Sequence, residues 1–133
     1  MDAEEKRIQG ILGDDDERNL RNAERYRQFL LTKLAFPLLA TGNEDFPWEE
    51  PYVFGLWDQD EYKKMKKTRP SYTDTFEIKT LEPPDEDEDV IADVLRISDG
   101  KRFKIGLSWL TTADDTDTAH TLLRDYGVWH TNY

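Results

Sequence analysis

Two acidic clusters are the groups in this chain best suited to chemistry. Glu82-Pro83-Pro84-Asp85-Glu86-Asp87-Glu88-Asp89 sets six carboxylates within eight residues, and Asp114, Asp115 and Asp117 follow some twenty-five positions on. Oxygen in that density suits a hard divalent cation, because calcium takes six to eight oxygens from carboxylates, carbonyls and water. Pooling carboxylates also makes it costly to keep them all ionised, and a bound divalent ion relieves that repulsion. The plainer role of the first cluster is a solvated linker; that of the second is capping of a following helix and favourable interaction with its dipole. Asp58, Asp60 and Glu61 resemble the opening of a calcium loop. Tyr62 and Lys63 follow at once, without the glycine turn and distant bidentate Glu of an EF-hand, so that motif is excluded.

Other chemistry is thinly represented. His120 and His130 are the two imidazoles and have no HExxH spacing, and the chain has no cysteine, which excludes disulfides, thiolate metal sites and a cysteine nucleophile. Ser71, Ser98 and Ser108 lack a nucleophile-elbow context, and no glycine-rich phosphate cradle is present. Carboxylate pairs are too abundant to diagnose acid–base catalysis. The inventory is that of a binding protein, not an enzyme.

The elements that must hold these acids follow from periodicity. Asp14 with Glu17 three residues on has the form of a helix start, and Leu20, Ala23, Tyr26, Leu30 and Leu34 recur at helical spacing, which predicts a helix from about Asp15 to Phe36, stopped by Pro37. Residues 1–13 carry Ile8, Ile11 and Leu12 as an apolar stripe broken by Gly10 and Gly13 and read as a loose arm in front of a single domain over 14–133. From Gly42 to Tyr72 no period is sustained. This excursion carries Trp48, Tyr52, Phe54, Trp57 and Tyr62, a short helix near Asp58 to Lys66, and five basic residues between Lys63 and Arg69. Its rings are expected to fold back on the core. From Thr75 the period becomes two, and Asp99-Gly100 predicts a hairpin over Val90 to Leu107. Ala119, Leu122, Leu123 and Tyr126 then mark a C-terminal helix, started by Asp115 or Thr116 and ended at Gly127.

With 133 residues and a formal charge of −11, the chain has one domain's worth of core and repels polyanions, so nucleic acid is not an expected partner. No apolar run reaches membrane-spanning length, and the leading MDAEEKRIQG has no apolar signal-like region, so a cytoplasmic protein without a membrane partner is expected.

Three stretches, in order, resemble a known family. The helix end Phe29-Leu30-Leu31-Thr32-Lys33-Leu34-Ala35-Phe36-Pro37-Leu38-Leu39-Ala40 is similar to that family's segment around a Lys-Leu-x-Phe-Pro core. Leu81 to Asp89, running into Val90 to Arg96 and Asp99-Gly100-Lys101-Arg102, is similar to its acidic loop, strand and Gly-Arg turn. Leu107 to Leu110, Ala113-Asp114-Asp115 and Leu123 to Trp129 are similar to its closing segments. The family is that of the small cyanobacterial-type calcium-binding proteins known as CcbP. The resemblance implies a compact β-barrel flanked by helices, with calcium held by surface acids and not by an EF-hand. Leu31 and Thr32 stand where the family has adjacent acids, and Tyr126-Gly127 where it has an aromatic pair.

The sequence therefore predicts an α+β domain: an N-terminal helix, a small antiparallel SH3-like β-barrel and a short C-terminal helix. It predicts reversible calcium binding as a buffer or sensor, with Asp87 and Asp89 as one group of ligands and Asp114, Asp115 and Asp117 as another. The alternative is an acidic interaction module or nucleic-acid mimic that engages a basic protein partner without metal, with aromatic anchors from the loop at 46–62.

Overall fold

The computed structural model describes residues 2–114 and 116–133. The first element is not a loose arm. Ala3–Leu12 forms helix α1, N-capped by Asp2, whose carboxylate accepts from the Glu5 N–H at 2.8 Å. Ile8 and Leu12 lie four residues apart, on one face, and both are buried. Arg7 clamps α1 to the C-terminal helix through the buried Asp125, at 2.6 Å. Gly13 does not break the helix early but ends it, at φ +76°, with its N–H on the Gln9 carbonyl.

Helix α2, Leu20–Lys33, starts later than expected, with Asn19 as its cap in place of Asp14. The acidic run before it is tied down by Asn22, whose amide donates to the carbonyls of Asp15 and Glu17. Ala23, Tyr26 and Leu30 are buried at the spacing read from the sequence. The helix stops at Lys33 because Leu34 turns extended, two residues before the pre-proline Phe36.

Strands β1 (Leu38–Gly42), β2 (Thr75–Glu82), β3 (Ile91–Arg96), β4 (Arg102–Gly106) and β5 (Leu110–Thr112) form one antiparallel sheet in the order β4-β3-β2-β1-β5. The expected hairpin is β3–β4, in register from Ile91 opposite Gly106 to Leu95 opposite Arg102, with Gly100 at φ +72° in its turn. The α+β class holds, but the sheet is open and does not close into a barrel. Closure would need β4 against β5. After Gly106 the chain instead makes a 3₁₀ turn over Leu107–Trp109, and the three-residue β5 pairs with β1. Helix α5, Thr118–Asn132, packs on that turn and on β5. It runs through Gly127, which is therefore not a cap, because the turns beyond it seat the buried Trp129, whose indole N–H donates to the Asp16 carbonyl at 2.8 Å. Tyr26, Tyr126 and Trp129 meet as an aromatic cluster at the heart of the core.

The excursion holds a 3₁₀ turn at Pro47–Glu49, the short helix α3 (Glu50–Val53) and α4 (Gln59–Lys66). Two buried charged side chains fix it to the sheet. The Glu49 carboxylate accepts from Tyr62 Oη (2.8 Å), Ser71 Oγ (2.5 Å) and the N–H groups of Phe46 and Tyr72. The Arg96 guanidinium, on β3, donates to the carbonyls of Lys66, Lys67 and Arg69 at and just past the end of α4 and to the carboxylates of Asp74 and Asp99. Single charges buried this deeply persist only when their hydrogen-bonding capacity is met, and both are met here. No described helix is long and apolar enough to cross a membrane.

Candidate metal centre

The acidic loop between β2 and β3 is folded, not a solvated tether. Asp85 closes it by accepting the N–H groups of Asp87 (2.9 Å) and Asp89 (3.2 Å) on one oxygen, while its own N–H returns to the Asp89 carbonyl at 3.0 Å. Glu88 takes the left-handed conformation, at φ +59°, to complete the turn. Its carboxylate pairs with Arg18 at 3.0 Å. Arg18 also donates to the His130 carbonyl, and His130 Nε2 lies 3.0 Å from the Asp87 carbonyl, so Nε2 is the donor there. The loop is thereby pinned between the segment before α2 and the last turns of α5.

Asp89 turns inward. Its Oδ1 accepts from Tyr126 Oη at 2.7 Å and from the Ser108 N–H at 3.1 Å, and its Oδ2 accepts from Ser108 Oγ at 2.6 Å. Tyr126 in turn accepts the Val90 N–H at 2.7 Å. Burial pushes the Tyr126 phenol far up, the Asp89 charge adds to this, and the hydroxyl stays a donor throughout the physiological range. Gly106 is required at this spot: a Cβ there would stand 2.3 Å from Asp89 Oδ2.

Outside Asp89 the loop faces a cleft of about 490 Å³ whose lining includes Glu44, Asp85, Asp87 and Asp89 together with Arg18 and His130. Asp85, Asp87 and Glu44 are exposed. Asp87 and Asp89 are thus brought to one cleft, although Asp89 has both oxygens engaged by the protein. The second predicted group lies elsewhere. Asp114 and Asp117 border a separate groove beside Ala35, Pro37, Leu38 and Leu39. Asp114 accepts from Thr116 Oγ1 (2.7 Å) and the Thr116 N–H (3.0 Å), bonds that hold its carboxyl below the usual range. Asp117 caps α5 through the Ala119 N–H. Asp115 lies outside the described residues.

Among the described residues, no three acid or imidazole side chains converge on one point at metal-ligand spacing. The cleft supplies the donors calcium prefers, namely the Asp87 and Glu44 carboxylates, the second oxygen of Asp85 and loop carbonyls, but it holds them apart. Glu44 and Arg18 were not singled out by sequence reasoning. Glu44 reaches the cleft from the turn after β1, a strand that five residues of mixed polarity do not announce. His130 does not pair with His120 but holds the loop backbone through the Asp87 carbonyl.

No family model matches the chain, and no curated protein matches it. Two solved structures do. The crystal structure of Anabaena CcbP superposes with a TM-score of 0.59 over 95% of this chain and 87% of that one, at 21% identity. A calcium-binding protein in its calcium-binding form superposes with a TM-score of 0.61 over 96% of this chain and 89% of that one, at 20% identity. The chain shares the CcbP fold. Coverage of both chains is near complete, and the expected resemblance holds at the level of architecture.

Proposed function

We propose that this chain binds calcium reversibly at the cleft formed by Glu44, Asp85 and Asp87, as a buffer or sensor that acts by binding and not by catalysis. The observation that carries the reading is that four carboxylates from two separate loops line one cleft, spaced apart, in a fold shared with two proteins described as CcbP and as calcium-binding. Asp87 and Glu44 would each supply carboxylate oxygens, Asp85 its second oxygen, and water the remainder of the shell. Asp89 supports the loop from below. Binding requires the exposed ligands to close on the ion, and with Arg18 already neutralising Glu88 the affinity falls in the weak range, about 10⁻⁴ to 10⁻³ M.

Metal that binds only the folded chain stabilises it by mass action. At about 10 mM calcium and a dissociation constant of about 1 mM the gain is about 1.4 kcal/mol, a rise of roughly 4–7 °C in Tm for a domain of this size. The test is calorimetric titration together with thermal melts in calcium and in chelator, on the wild type and on Asp87→Asn and Glu44→Gln. The shift should be present in the wild type and reduced in both variants. No calcium heat and an unmoved Tm at about 10 mM would overturn the reading.

A further inference from the structure

Folding buries most of the rings in the excursion: Phe46, Tyr52 and Tyr62 are covered, with Tyr52 and Tyr62 stacked at 5.1 Å and Trp48 packed against both. The five residues between α3 and α4 behave in the opposite way. Phe54, Leu56 and Trp57 are 71%, 84% and 58% exposed, so three large apolar side chains stand out at one tip. Three groups of this size within four residues expose on the order of a few hundred Å² of apolar surface.

The tip is also built, not slack. A Cβ on Gly55 would lie 2.5 Å from the Pro51 carbonyl oxygen, so only glycine lets the chain pass. Leu56 sits at φ +56°, a left-handed conformation that costs an L-residue about 1–2 kcal/mol. Gln59 holds the shape by donating to the carbonyls of Tyr52 (3.0 Å) and Trp57 (2.8 Å), and the Trp57 ring meets Tyr52 edge-on at 5.7 Å. Neither the strain nor the exposure helps the chain fold. A strained, rigid backbone that presents apolar groups to water points to a binding role.

Charge decides the partner. No Lys or Arg occurs between Lys33 and Lys63, a span that contains Glu44, Asp45, Glu49, Glu50, Asp58, Asp60 and Glu61. Glu50 opens α3 on one side of the tip, and Asp58, Asp60 and Glu61 open α4 on the other. The lysines of α4 belong to its last turn, and Lys66 is drawn over the Tyr62 ring at 4.2 Å. An anionic bilayer would be repelled by the acids that flank the tip, and a symmetric tip-to-tip contact between two copies would oppose like charges. We propose that Phe54, Leu56 and Trp57 anchor an interface with a protein partner that presents an apolar pocket rimmed by lysine or arginine. None of these residues lines the acidic cleft, so the interface stands or falls independently of calcium.

The test uses the full chain with a photoreactive benzoylphenylalanine at position 56, and at position 64 as a control, irradiated in the cells that make it. The cross-linked protein is identified by mass spectrometry, purified and titrated against wild type, Leu56→Asp and Trp57→Ala. Asp is at ease in the left-handed region, so Leu56→Asp keeps the fold, and its Tm should match the wild type. The expected result is one protein cross-linked from position 56 and not from 64, bound at least about tenfold more weakly by each variant and more weakly still as salt rises, with no effect of chelator. Four results would overturn the proposal: no protein cross-linked from position 56; affinity unchanged in both variants; wild-type chain sedimenting with phosphatidylserine vesicles; or wild-type self-association that Leu56→Asp abolishes.

Discussion

Asp89 separates two ways an acidic loop can behave. If its carboxylate chiefly adds to the repulsion of the cleft, neutralising it in the absence of metal should stabilise the fold. If it is the staple that joins the β2–β3 loop to Ser108 and Tyr126, neutralising it should do harm. The geometry favours the second. One oxygen takes two donors, the other takes a third, and Asp89 is 4% exposed. In Asp89→Asn the amide oxygen can replace Oδ1, while the NH₂ group must face Ser108 Oγ, whose hydroxyl can rotate to accept. What is lost is the charge-assisted part of three hydrogen bonds, about 1–2 kcal/mol, or roughly 4–8 °C in Tm. In Asp89→Ala the Tyr126 hydroxyl and the Ser108 N–H lose their acceptor, and the cost rises to about 3–5 kcal/mol, a large fraction of a domain's total stability. Thermal and urea melts followed by circular dichroism in chelator measure both, with Asp87→Asn as a control that should be neutral or slightly stabilising. An Asp89→Asn chain that melts at or above the wild-type temperature in chelator would refute the argument.

Two further outcomes follow from neighbouring contacts. Gly106→Ala drives a methyl group to within 2.3 Å of Asp89 Oδ2, an atom held by Ser108, so the staple must shift, and the variant should lose about 1–3 kcal/mol in urea unfolding; a loss below about 0.5 kcal/mol would show that Asp89 is mobile. Hydrogen bonds from Arg96 hold the Asp99 carboxyl down at about 2, against an ordinary 3.8, with the Lys101 N–H assisting. Because the folded value is the lower one, the stabilisation is fully present above about pH 4 and disappears as pH falls from there through about 2. Urea unfolding across that window should show a slope that Asp99→Asn reduces; an unaltered slope in the variant would sink the assignment.

Periodicity disclosed the parts of the fold that local chemistry controls. The β3–β4 hairpin needs a positive φ at Gly100 and apolar residues on one face, and both are visible in the chain. Helix α4 announces itself through Asp58 and its acidic first turn. What escaped depends on long-range closure. In α1 only Ile8 and Leu12 are buried, and α1 owes its place to Asp125, more than a hundred residues away. β1 is legible only once β2 and β5 flank it. Asn19 displaces Asp14 as the cap of α2 while Asn22 gathers the Asp15 and Glu17 carbonyls, bonds that reach seven and five residues back, further than the three-residue capping pattern read from the sequence. At the site, the loop and Asp87 were legible as acids, whereas Glu44 and Arg18 arrive through the fold.

Net charge was the strongest cue in the sequence, yet it overstates what is free to hold an ion. Asp2, Asp58, Asp85, Asp99, Asp114 and Asp117 each accept a backbone N–H two or three residues ahead, closing a turn or capping a helix. Aspartate dominates this set because its short side chain reaches those N–H groups, whereas glutamate is a methylene too long to close the same ring. Around the β2–β3 loop the acids that keep their oxygens for solvent are then Asp87 and Glu86, with Glu44 from the turn after β1, all exposed. Cation capacity in a chain of this kind is set by the oxygens left over once turns and caps are satisfied. In the β2–β3 loop that remainder lies on the outer face, above the Asp85 and Asp89 scaffold, where an ion can come and go without disturbing the core.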